Sequence, residues 1–154
     1  DRVHGSNPRC TTLRALDPLL EKYESEYHYL FSCVHRAANA TGEAALEQNY
    51  GLPNVARRLL EMFLAFRRPQ IAGELWQKLK DVTFDEPKKV RIARFAHAHS
   101  HGDTVGEPEH DPSLLGEARA VMADLLELIK SEDPQHFAAM VDLVNGLAAA
   151  MDSQ

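Results

Sequence analysis

Apolar positions along this chain recur every three or four residues, the period of a helix that buries one stripe. Tyr23, Tyr27, Leu30, Phe31 and Val34 keep that spacing inside a helix predicted over residues 18–38. Val55, Leu59, Met62, Phe63 and Phe66 predict a second helix from about residue 53. It should stop before Pro69, because a residue that precedes proline is pushed out of the helical region. A short helix over residues 71–80 would turn Ile71, Leu75 and Leu79 inward, and another is predicted over 86–100 with Gly102 as terminator. Residues 112–130 place Leu115, Ala118, Met122, Leu125 and Ile129 on one face. A last helix from residue 134 places Phe137, Val141, Val144 and Leu147 inward.

The helix starts have their own signature. Asp17-Pro18, Asp111-Pro112 and Asp133-Pro134 each precede an apolar pattern, and Asp85 stands two residues before Pro87. An aspartate can accept the first unpaired N–H groups, and proline at the first helical position loses no bond. "VTF" at 82–84 is too short to build a sheet. The expected fold is all-α, a bundle of five or six helices forming one domain over residues 1–154.

Composition changes this picture little. A chain of 154 residues, 44% of them hydrophobic, can close a single core. No apolar run nears the roughly 20 residues that span a bilayer. The opening "DRVHGSNPRCTT" lacks a signal-peptide layout, so a cytoplasmic protein with no membrane partner is expected. Cys10 and Cys33 do not make a disulfide framework, and Cys33 reads as a small residue in an apolar helix.

Charge is distributed less evenly. The net charge is −6, yet residues 57–94 hold ten basic residues against five acidic ones, a local +5 that leaves −11 elsewhere. Such a middle can be an anion-binding surface, with Arg57, Arg58, Lys88, Lys89, Arg91 and Arg94 as its groups, or a solvated face paired with acidic helices.

The stretch "RIARFAHAHSH", residues 91–101, raises a question of chemistry. Arg94, His97 and His101 are three and four residues apart and share one helix face, with Arg91 nearly in line and His99 pointing elsewhere. Three readings stay open. His97 and His101 could chelate zinc, completed by Asp103, Glu107 or His110, although there is no HExxH motif and no sheet to carry such a site. The face could instead be structural, with His101 closing the helix end as a cation. Or it could cleave RNA without metal. An imidazole can move a proton at a ribose 2′-hydroxyl, and a guanidinium offers a planar fork to the phosphate.

"YESEYHYLFSCVHRA", "YGLPNVARRLLEMFLAFRRP" and "RIARFAHAHSHG", in that order, resemble the C-terminal part of bacterial wobble-nucleotide-excising anticodon nucleases and related AAA/ABC-type ATPases. The nuclease parts of that family belong to the HEPN superfamily, helical bundles marked by an arginine followed by four to six residues and a histidine. On this chain the motif fits Arg94 with His101 or His99, or Arg91 with His97, and the shared face favours Arg94 with His101. Where the family places a polar residue after the arginine, this chain has Phe95. The anticodon nucleases also show an arginine, a glutamate four positions later and a histidine some tens of residues downstream; Arg57 and Glu61 match the first pair.

The resemblance implies a metal-independent endoribonuclease with no cofactor, acting on RNA, with tRNA as the expected class, in defence or as a toxin. It also implies a homodimer and an ATPase domain in the same longer protein, of which this chain would be the C-terminal portion. The chain itself has no GxxxxGK[ST] phosphate loop. The alternative is a non-catalytic module that dimerises or binds RNA or protein for the attached ATPase. Among the other side chains, Trp76 reads as packing, Tyr23, Tyr27 and Phe31 as core, and His28 and His35 as no site. His110 and His136, near helix starts, should face solvent.

Overall fold

A computed structural model describes residues 22–42, 49–97 and 116–152, and among these residues there are six helices and no strand. They are α1 Glu26–Asn39, α2 Leu52–Arg67, α3 Leu75–Lys80, α4 Glu86–His97, α5 Ala118–Glu132 and α6 Pro134–Asp152. The expected all-helical bundle is what forms.

Local chemistry sets the helix starts. The Asp85 carboxylate accepts the Lys88 N–H at 2.9 Å, and its carbonyl accepts the Lys89 N–H at 3.0 Å. Asp133 does the same for α6, taking the His136 N–H at 2.9 Å ahead of Pro134. Asp17-Pro18 and Asp111-Pro112 lie outside the described residues. The first helix begins later than its apolar spacing suggests: Ser25 adopts an extended backbone and its hydroxyl accepts the His28 N–H at 3.1 Å. Tyr23 therefore precedes α1. Similarly, Ile71 falls in the turn before α3.

Helix α1 packs on α2 and α5, α4 closes against both α2 and α5, α3 lies on α2, and α6 rests on α5 and α1. Phe31, Leu59, Leu60, Leu64, Ile92, Phe95, Met122, Leu125 and Ile129 are fully buried between them. Each such side chain contributes on the order of 1.5–3 kcal/mol over an exposed one. Phe95, the position where the family resemblance wants a polar residue, is one of these core groups.

Two side chains depart from the sequence pattern. Phe66 is 83% exposed. The buried stripe of α2 runs through Ala56, Leu60 and Leu64, and Phe66 lies off it on the last turn. His136 does not face solvent freely: its Nε2 is 2.9 Å from the Tyr27 hydroxyl and its ring stacks on Phe63, with centroids 5.9 Å apart.

Candidate functional site

Arg57 and Glu61 stand one turn apart on a flank of α2, and the Arg57 Nε donates to the Glu61 Oε1 at 2.8 Å. Both are partly open to solvent, so the pair is a modest tie energetically. Facing them is the turn into α3. Gly73 has φ +108°, and a Cβ there would lie 1.7 Å from the Gln77 Oε1. That oxygen accepts the Glu74 N–H at 3.1 Å, the reach-back arm of a capping box. Only glycine allows this turn to close so tightly. The turn brings Glu74 and Lys78 toward α2, and His97 of α4 completes the wall. The result is one cavity of about 460 Å³ lined by Arg57, Glu61, Gly73, Glu74, Leu75, Lys78 and His97.

Helix α4 is held firmly enough to present His97. Its inner face buries Ile92, Phe95 and Ala96. Its outer edge is tied to α5: the Arg91 Nε donates to the Asp124 Oδ2 at 2.7 Å, and the Lys88 Nζ to the Glu127 Oε2 at 2.6 Å. His97 itself is exposed, as is Arg94 one turn earlier, which does not line the cavity. His99 and His101 lie outside the described residues, and so do Asp103, Glu107 and His110, the partners of the zinc reading. Among the described residues no three His, Cys, Asp or Glu side chains are grouped to hold a metal ion.

The basic residues of 57–94 serve largely as ties between elements. Arg58 pairs with Glu26 of α1, Arg91 and Lys88 with α5, and Arg68 with both Asp81 and Glu132 at 2.8 and 2.6 Å. Lys89 is 5% exposed, and its ammonium donates to the Val82 carbonyl at 3.0 Å and meets Glu86 at 2.8 Å. The anion-binding surface that Arg57, Arg58, Lys88, Lys89, Arg91 and Arg94 could make is interrupted by these carboxylates. Lys78 and Arg94 make no ion pair with the described residues.

Chemically, the cavity brings together an imidazole, two carboxylates, a guanidinium and an ammonium. These are groups that can transfer protons beside a bound anion. Sequence reasoning found Arg57, Glu61 and His97 but missed Lys78 and Glu74. Their only signal was Gly73 followed by a Glu and, three positions on, a Gln.

Among the described residues no helix is long and apolar enough to cross a membrane. Comparison with curated proteins and with solved structures gives no match. A family model described as an AAA domain matches residues 3–127, which include every residue lining the cavity. Most of the chain is therefore covered, and it belongs to this AAA-domain family.

Proposed function

We propose that this domain is a metal-independent endoribonuclease of the anticodon-nuclease type, acting on RNA, with tRNA as the expected substrate class, in bacterial defence or as a toxin. One observation carries the reading. Arg57 and Glu61 share a cavity with His97, forty residues downstream. That is the arginine, glutamate and later histidine that the resemblance asks for.

In this reading a ribose 2′-hydroxyl attacks the adjacent phosphorus. His97 or Glu61 takes the hydroxyl proton, and the other group gives a proton to the departing 5′-oxygen. The products are a 2′,3′-cyclic phosphate and a 5′-hydroxyl. Arg57 stabilises the charge that builds on the phosphoryl oxygens, with Arg94 adding positive potential from the next turn of α4. DNA lacks the attacking hydroxyl, so the site is selective for RNA. His101, which the sequence spacing pairs with Arg94, is the competing proton-transfer group. A second copy of the chain and an ATPase domain of the same longer protein are the proposed partners, in keeping with the AAA-domain family.

The test is RNA cleavage in chelator with 3′-end mapping. His97→Ala should lower the rate on the order of 10²–10⁴-fold, the usual contribution of a positioned acid–base group. If His97→Ala is silent and His101→Ala is inactive, the Arg94–His101 assignment replaces it. A second reading, the non-catalytic module, draws support from the tethered charges: Arg58, Lys88, Lys89 and Arg91 are used to hold the bundle together. Full activity of both histidine variants, or no cleavage of any RNA by the wild-type protein joined to its ATPase, would favour that module.

A further inference from the structure

A second cavity, of about 360 Å³, lies between α1, the last turn of α2 and the start of α6. It is lined by Tyr27, Phe63, Phe66, Arg67, Asp133 and His136. Every one of these side chains ends in a planar group, and none is aliphatic. Four are aromatic rings, one is a guanidinium and one a carboxylate.

Three of the rings are fixed. His136 stacks on Phe63 with an interplanar angle of 28°, and its Nε2 is bonded to the Tyr27 hydroxyl at 2.9 Å. The fourth ring, Phe66, is 83% exposed, the most exposed large apolar side chain among the described residues. At the rim Arg67 and Asp133 lie side by side, 3.2 Å apart, with Arg67 also donating to the Glu132 carbonyl at 2.9 Å. A donor and an acceptor held next to each other match the edge of a heteroaromatic ring that presents an acceptor beside a donor. Burial holds the Tyr27 phenol above its usual range, with Asp133 adding to the effect, and its hydroxyl meets the His136 ring inside the cavity wall.

We infer that this cavity is a nucleobase site, in which a purine or pyrimidine stacks on Phe66 and meets the Arg67–Asp133 pair with its hydrogen-bonding edge. Every base has a π-face that can stack on an exposed ring, and the described walls offer four rings, a guanidinium and a carboxylate. The base can come from a flipped-out nucleotide of RNA, in which case the inference rests on the nuclease reading, or from a free nucleotide, in which case it does not.

The test measures binding by the full chain carrying His97→Ala, which removes the proposed proton-transfer group. Probes are a single-stranded oligoribonucleotide, the same strand with abasic positions, and nucleoside monophosphates. Phe66→Ala should weaken the oligoribonucleotide by about 5- to 150-fold, the range for losing one base–aromatic stack, and leave the abasic strand unchanged. Phe66→Trp should retain binding. Monophosphate binding that Phe66→Ala abolishes identifies a free nucleotide as the source; its absence, with the oligonucleotide effect present, identifies an RNA base. Equal binding by the parent and Phe66→Ala proteins overturns the inference, and so does an equal loss on the abasic strand. A change of oligomeric state with no change in ligand binding would make Phe66 a protein contact and also overturn it. If RNA is cut and bound normally while Phe66→Ala is silent, only this inference fails. If monophosphates bind here and no RNA is cut, only the nuclease reading fails.

Discussion

Replacing Gly73 by alanine should do more damage than its place in a surface turn suggests. Two costs combine. A side chain at φ +108° is strained by roughly 1–2 kcal/mol. The new Cβ would also fall 1.7 Å from the Gln77 Oε1, so the Gln77 side chain must leave. Its bond to the Glu74 N–H then goes, at about 0.5–1.5 kcal/mol. The sum is about 1.5–3.5 kcal/mol, or roughly 3–14 °C in Tm for a domain of this size. Gly42→Ala provides the control, since its φ is +95° but among the described residues nothing lies within 4 Å of the added carbon. It should lose only the strain. Urea and thermal unfolding followed by helical circular dichroism would measure both. The decisive comparison is a double-mutant cycle: with Gln77→Ala already present, Gly73→Ala should cost only the backbone strain. Additive losses in that cycle, or equal losses at Gly42 and Gly73, would refute the reasoning.

Leu125→Ala, at a site with no exposure between α5 and its neighbours, should cost about 2–5 kcal/mol in urea unfolding, while Leu143→Ala at 42% exposure should cost far less. Arg68→Ala should destabilise by about 1–3 kcal/mol, because Glu132, whose side chain is 10% exposed, loses its cation; Arg68→Lys cannot span Glu132 and Asp81 together and should restore only part. The folded-state value of the Tyr27 phenol lies above its ordinary 10.0, so its contribution is intact below pH 10 and is lost as pH rises further. Tyr27→Phe should flatten that alkaline loss of stability and remove one late-titrating phenol from the absorbance titration. No change in either measurement would contradict the burial described here.

The sequence pattern was most informative where one rule acts alone. Asp133-Pro134 starts α6 because a carboxylate and a missing N–H solve the same end problem. Arg68-Pro69 closes α2 for an equally local reason. The pattern failed where neighbours decide. Phe66 keeps the spacing of the buried stripe, but whether the last turn of α2 is covered depends on where α6 begins, and periodicity holds no such information. His136 looked like a surface residue beside a helix start, yet Tyr27, over a hundred positions earlier, lies within bonding distance. For the candidate site, the spacing of Arg57 and Glu61 is readable on one helix. That His97 joins them follows from how α4 docks, and Lys78 enters only because Gly73 lets α3 fold back.

Both cavities take residues from α2, and that sets a geometric condition on any ligand that uses both. Arg57 and Glu61 project from one flank of its buried stripe and Phe66 from the other. At 1.5 Å per residue the two pairs Arg57–Glu61 and Phe66–Arg67 are centred about 11 Å apart along the axis. Between the two flanks lies the outer side of the helix, where Arg58 and Ala65 are exposed. A mononucleotide can therefore occupy one cavity or the other, never both. A strand that reaches both has to wrap the rod, and the pitch of α2 then acts as a ruler. For such a strand it would set how many linkages separate a base at Phe66 from a phosphate beside His97.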